Sequence, residues 1–210
     1  MTVMQGQVGA STSALSSGSQ PPSRLGTMGE VISSGLHGHY YEACYRRALF
    51  AAANQAPTAT TVGLATIYTG LAISNPIASQ VNLVLNRVGV SLSVVQVAAA
   101  VIGVMVGYNS VTNVTHSTPS TTLRSQFIGV GAAPQALVDT ACIFPTAPTL
   151  NTVFGTALTG AITTTPVTQL FNDLGGSIIL PPGAYAAIYM STVSAASSFT
   201  GSFLWEEVPV

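Results

Sequence analysis

VGVSLSVVQVAAAVIGVMVG, residues 88–107, carries no charge over twenty residues, and its reading decides the fold. Its length fits a membrane helix. Its composition argues otherwise. Valine dominates, Gly89, Gly103 and Gly107 interrupt it, Ser91, Ser93 and Gln96 sit inside it, and only Arg87 offers a positive flank. Branched side chains at alternating positions suit strands better. The spacing therefore predicts a strand over Gln80 to Val90 and another over Val94 to Tyr108, with Gly103 as its weakest point. The second is apolar on both faces, as a central strand is when each face is covered.

Working outward, Leu64 to Ile73 sets Ala65, Ile67, Thr69, Leu71 and Ile73 against Leu64, Thr66 and Tyr68. Ser74-Asn75-Pro76 then marks a turn. Further strands are expected over Leu123 to Val130, Ala136 to Phe144, Ser177 to Leu180, Ala184 to Ser191 and Phe199 to Val208. Pro181-Pro182-Gly183 reads as a tight turn. Asn54 to Thr61, Asn109 to Thr122 and the Thr/Pro/Gly-rich run Pro145 to Asp173 read as loops or weak structure. Residues 36–53 fit a helical stripe and a strand about equally, and extended chain leading into a strand near Arg46 to Ala52 is favoured. In the last two strands, Tyr185, Ala187 and Tyr189 share one face, and Phe199, Phe203 and Trp205 share another. A hairpin would let these aromatics meet in the core. Short strands without an amphipathic helix between them predict an all-β fold, an antiparallel β-sandwich or barrel, with the sandwich favoured.

Residues 1–35 are rich in Ser, Gly, Gln and Thr and poor in large apolar residues. They cannot bury enough surface to fold alone and read as a low-complexity segment, either a flexible tail or, the favoured reading, an arm that orders on a partner. Residues 36–210 are the body. No basic residue or apolar core marks the first 23 residues as a signal peptide.

Five arginines and six acids are all the charge in 210 residues, and lysine is absent. Ordinary domains carry roughly 25% charged residues; this chain carries 5%. Isolated solubility normally rests on surface charge, so a surface this neutral suits coverage by partners. From Ala48 to Thr122 the only charge is Arg87, which marks strands 62–108 as the surface expected to be most covered. Scattered arginines (Arg24, Arg46, Arg47, Arg87 and Arg124) exclude a phosphate-binding patch, so no nucleic acid is expected. A membrane or pore protein, suggested by the mean hydropathy of +0.52, is a weaker reading.

Candidates for chemistry are few. Glu206 and Glu207 are adjacent, so on a strand they point to opposite faces and do not form a carboxylate pair. They are expected to stay wet or to meet a basic partner. His37, His39 and Glu42 share a segment, but a Zn²⁺ site needs more ligands, and neither His116 nor Cys44 is required there. Cys44 and Cys142 read as two thiols rather than as a disulfide. Asn113-Val114-Thr115 matches a glycosylation sequon by form alone. There is no nucleophile elbow, P-loop or dinucleotide fingerprint. No catalytic, cofactor-binding or metal residue is assigned, no cofactor is expected, and the chain is not expected to be an enzyme.

Several segments carry a resemblance. Tyr40-Tyr41-Glu42-Ala43, Leu49-Phe50-Ala51-Ala52-Ala53-Asn54-Gln55, and Ser74-Asn75-Pro76 followed by Val81-Asn82-Leu83-Val84-Leu85 resemble tailed-bacteriophage virion proteins. So do Ile179-Leu180-Pro181-Pro182-Gly183-Ala184-Tyr185 and Phe203-Leu204-Trp205-Glu206-Glu207-Val208. The likeness spans residues 36–210 and lies in turn and core motifs. It implies a capsid decoration (cement) or head-fibre protein with a jelly-roll body. It also implies homotrimers, a place on the capsid surface of the virion, and the major capsid protein as partner. The family offers no catalytic residues to carry over. One departure is that relatives carry lysine in the strand matching Val81 to Val90, where this chain has Arg87.

Overall fold

Val81, Leu83 and Leu85 face inward, and so do Val88, Val90 and Leu92, although the two sets differ in parity. One extra residue between them, Asn86, makes this possible. Against the strand on one side Leu85 faces Trp205 and Arg87 faces Leu204; against the other Leu85 faces Ile178 and Arg87 faces Asp173. Asn86 is a bulge against the first of these neighbours, while the second sets Leu174 to Ser177 opposite it, and the irregularity restores the side-chain period of two across a twelve-residue strand.

The computed structural model describes residues 6–7, 23–24, 38–94, 96, 98–120, 123–129, 131, 133–157, 169–195 and 198–210. The chain divides into Met1–Tyr41 and Glu42–Val210. In the first unit β1 (Gly6–Gln7) pairs in parallel with β2 (Ser23–Arg24). The rest of the arm expected over residues 1–35 lies outside the described residues. The second unit holds β3 (Leu49–Ala53), β4 (Ile67–Ser74), β5 (Val81–Leu92), β6 (Ala100–Tyr108), β7 (Thr115–Pro119) and β8 (Arg124–Ser125). It continues with β9 (Leu137–Ile143), β10 (Thr149–Ala157), β11 (Gln169–Leu180), β12 (Ala184–Met190) and β13 (Phe199–Pro209).

These strands form two antiparallel sheets in the orders β10-β6-β12-β4-β9-β7 and β11-β5-β13-β3-β8. The expected all-β sandwich is what forms. Its long strands pair like nested brackets: β3 with β13, β4 with β12, β5 with β11 and β6 with β10. Two more pairings, β5 with β13 and β6 with β12, join these ribbons into sheets. The short strands β7, β8 and β9 are an insertion between β6 and β10. They extend the sheets beyond β4 and β3.

The core between the sheets contains Leu71, Ile73, Leu83, Leu85, Ile102, Val104, Ile188 and Phe203. Trp205 is fully buried there and stacks on Phe50 with ring centres 6.0 Å apart. Each such side chain contributes about 1.5–3 kcal/mol through burial. The expected hairpin of the last two strands does not exist, because β12 and β13 lie in opposite sheets. Phe199, Phe203 and Trp205 do share the core face. Tyr185 and Ala187 instead point to the reverse side of the six-stranded sheet, where they pack with Tyr68, Met105, Cys142, Phe144 and Val114. Phe144 stacks on Tyr185 at 4.7 Å, and the Tyr185 hydroxyl donates to the Thr146 carbonyl at 2.6 Å. The Tyr185 ring lies so close over Gly107 that no side chain fits there.

Several boundaries differ from the sequence expectation. Residues 41–45 form a one-turn helix, α1 (Tyr41–Tyr45), where extended chain was expected. Arg47 adopts φ 61°, and Ala48 N–H and Arg47 N–H bond to the carbonyls of Ala43 and Cys44, closing the helix before β3 begins. The third expected strand starts at Ala100 and runs through Gly103 unbroken. Thr115–Pro119 is a strand inside the expected polar loop, while among the described residues only Arg124–Ser125 remains of the strand expected over Leu123 to Val130. The Thr/Pro/Gly-rich run holds β10 and the start of β11. Pro181 to Gly183 is the expected turn, with Gly183 at φ 87°.

Neutral polar groups close the gaps. Asn75 Nδ2 donates to the carbonyls of Val81 (2.7 Å) and Leu180 (2.9 Å), tying the end of β4 to the opposite sheet. Asn54 Nδ2 donates to the Phe199 carbonyl at 3.0 Å, and its Oδ1 accepts from Gly201 N–H. β4 pairs with β12 only from Ala72 to Ser74. Beyond that, the Tyr68 hydroxyl takes the place of a rung: it accepts Leu71 N–H at 3.1 Å and donates to the Ile188 carbonyl at 2.8 Å.

Two outcomes follow for chemical denaturation. Tyr68→Phe should lower the unfolding free energy by about 1–3 kcal/mol, because it strands a buried N–H and a buried carbonyl. Deleting Asn86 should prevent stable folding, because half of β5 would turn outward. Asn86→Ala should cost under about 1 kcal/mol, since Asn86 Nδ2 is buried without a partner among the described residues.

Candidate functional site

The few titratable groups of the body lie apart. Glu207, expected to stay wet or to meet a basic partner, is a structural clamp: its carboxylate accepts Gln135 N–H at 2.9 Å and Ala136 N–H at 3.0 Å. The Trp205 indole N–H also points to it at 3.4 Å. Glu42 pairs with Arg46 at 2.8 Å on the exposed face of α1. His39 lies edge-on to Tyr40, and His37 falls outside the described residues. Among the described residues no group of three His, Cys, Asp or Glu side chains is arranged to hold a metal. Cys44 and Cys142 are free thiols. Asn113 of the sequon serves the fold, its Oδ1 accepting Ile77 N–H at 2.9 Å, and the neighbouring Val114 is buried.

One polar pair was not legible in the sequence. His116 on β7 and Asp139 on β9 meet at 2.7 Å between Nδ1 and Oδ2. The Asp139 side chain is 1% exposed, and its Oδ1 has no partner among the described residues. Burial raises the Asp139 pKa, and the hydrogen bond and charge of His116 oppose the rise. Cys142, on the same strand, is pushed up to about 12 by burial and by the Asp139 charge, so it is a protonated thiol rather than a nucleophile. Burial likewise raises Tyr68 far above the usual phenol range. These shifts come from desolvation within a packed layer.

What the surface offers is apolar area. Much of the run 62–108, whose only charge is Arg87, is covered within the chain, since β4, β5 and β6 each have neighbours on both sides. Val62, Leu64, Ile67 and Tyr108 stay exposed there. Elsewhere Val111, Ile128, Val153, Phe171, Ile179 and Val193 are exposed. Arg87 reaches Asp173 at 3.3 Å and lies 4.6 Å from the Phe171 ring centre. Beside them a groove of about 430 Å³ runs over the outer face of the five-stranded sheet, lined by Gly89, Ser91, Phe171, Thr200 and Ser202. A second cleft of about 460 Å³ lies between β10 and β11, lined by Thr149, Asn151, Ile178 and Ile179.

No helix among the described residues is long and apolar enough to cross a membrane. Comparison with protein-family models, with curated proteins and with solved structures gives no match.

The buried carboxylate gives a pH dependence with a definite sign. An acid whose folded pKa lies above its unfolded value keeps its proton longer in the native state, so stability falls as pH rises from the unfolded to the folded pKa. The window opens near the ordinary value of 3.8. Urea midpoints measured upward from that pH should decline in the wild type, and Asp139→Asn should remove that decline. An unchanged slope in the variant would contradict the assignment.

Proposed function

We propose that this chain is a structural virion protein, a decoration (cement) protein that binds the major capsid protein of a phage head and stabilises the shell as a homotrimer. The observation that carries the reading is the surface. Exposed side chains such as Val111, Ile128, Ile67 and Phe171 are apolar, and the charged groups that exist are largely engaged within the fold. Such a surface suits coverage by a neighbouring protein. We read the sandwich as a jelly roll, the architecture of many viral capsid domains. The nested pairing of the eight long strands supports this, with the first beside the eighth and the third beside the sixth. On this reading the protein does no chemistry. Attachment is non-covalent, and about 1,600 Å² of interface per contact, multiplied over many copies, holds it.

The residues also favour a second reading, a fibre domain that binds a carbohydrate. Phe171 is exposed beside a groove that carries the hydroxyl-bearing Ser91, Thr200 and Ser202. A glycan array in which hits vanish with Phe171→Ala would establish it, and an array without hits would remove it.

The test of the first reading is rebinding of the purified chain to shells stripped of it. Binding should saturate at fixed symmetry positions. With little charge to screen, it should weaken by less than about threefold between ~0.05 and ~0.5 M salt. Rejection by stripped shells would sink the proposal.

A further inference from the structure

We infer that the side of the sandwich formed by the edges of β10 and β11 is the docking surface for a second copy of this chain. The inference stands apart from the virion reading, because self-association is a property of the chain alone.

The two sides of the sandwich are built differently. On one side the insertion extends both sheets and ends them in strands that resist further pairing. β7 has five residues and finishes in Pro119, and β8 has two and carries the exposed Arg124. Short strands, proline and charge are the usual guards of a sheet edge. The other side lacks short strands and proline among the described residues, and its guards are the single charge of Asp173 and register irregularities in both strands. β10 pairs only with β6 and β11 only with β5, so both are edges, and they lie on the same side of the core. β10 runs nine residues without charge or proline, and β11 runs twelve with a single charge, Asp173. Leu150 (39%), Val153 (54%), Phe171 (66%) and Ile179 (55%) are exposed along these two strands.

Charge selects the occupant. Asp173 is already paired with Arg87, which also covers the Phe171 ring, so this side is electrically closed and offers nothing to a nucleic acid or a charged protein. A surface that is itself neutral, apolar and amide-lined matches it, and a second copy supplies one. The area is sufficient. At about 3.3 Å per residue the two edges are about 30 and 40 Å long, with sheets about 10 Å apart. With side chains included, that gives roughly 800 Å² per copy, the standard size of a stable interface. Irregularities of register near Asn151 and Phe154 interrupt the β10 ladder, so side chains carry the contact more than a continued sheet does.

The test is sedimentation velocity of the full chain over a wide concentration range. The wild type should associate reversibly. Val153→Lys should raise the dissociation constant at least tenfold, whereas Ile128→Lys, at a site 74% exposed just after β8 at the other end of its sheet from β11, should leave it unchanged. A wild type that stays monomeric at every concentration, or equal effects of the two lysines, would overturn the inference. Hydrogen exchange on the wild type gives an answer that needs no variant. Amides of β10 and β11 should slow as concentration rises while those of β7 and β8 do not, and slowing confined to any other surface would assign the contact elsewhere. Shells that reject a self-associating chain would count against the virion reading alone.

Discussion

The pairing of β5 between β11 and β13, with its one-residue bulge at Asn86, sets the phase of the five-stranded sheet. Because strand side chains alternate, a sheet has one choice of which residues it buries, and every neighbour inherits it. Leu85 lies opposite Trp205, Trp205 lies opposite Phe50, and those rings stack beneath the second sheet. The bulge places Arg87 where it reaches Asp173 across the same sheet. The core, the outer groove and the closed charge pair therefore depend on a single inserted residue.

A chain this poor in charge has to satisfy its buried backbone by other means. Amides and hydroxyls do it. Asn54, Asn75 and Tyr68 fill positions where ladders stop, and Thr60 and Ser194 exchange reciprocal bonds from backbone N–H to hydroxyl at 2.9 and 3.0 Å. Such neutral bonds each contribute about 1 kcal/mol net, but leaving the groups unmade would cost more. Scarcity of charge in the sequence therefore reports two things at once. Part of it is intramolecular, because β4, β5 and β6, whose only charge is Arg87, occupy central positions. The rest concerns the outside, where apolar side chains meet solvent without a charged border.

The sandwich was legible because Phe199 to Glu206 alternates buried and half-buried residues, and because the glycines and valines of residues 88–107 fit strands and not a helix. β10 was hidden by its composition. TLNTVFGTA lacks the alternation of a strand with one buried face, since an edge strand leaves most of its residues exposed. The start of β11 was hidden because Asn172, Asp173, Gly175 and Gly176 look like a turn, and two of them do take positive φ within the register shift. α1 escaped because five residues closed by Arg47 leave too short a period to detect. The His116–Asp139 pair escaped because its members lie on different strands and meet only through the pairing of β7 with β9. Glu207 looked solvated because nothing in its neighbourhood forecasts the backbone N–H groups of Gln135 and Ala136.

The nested brackets of strand pairing set a timetable. β3, the first long strand, finds its partner in β13, the last, and each pair inside it closes a shorter loop. Closing the innermost pair, β6 with β10, is the least demanding step in chain entropy, and closing the outermost is the most demanding. During synthesis the ribosome releases β3 long before β13 exists, so the early strands wait with their apolar faces open. The sheet of five cannot be completed until β13 emerges, and folding is slow for the same topological reason. A cell that makes many copies at once therefore has to keep unfinished chains apart until β13 has been made.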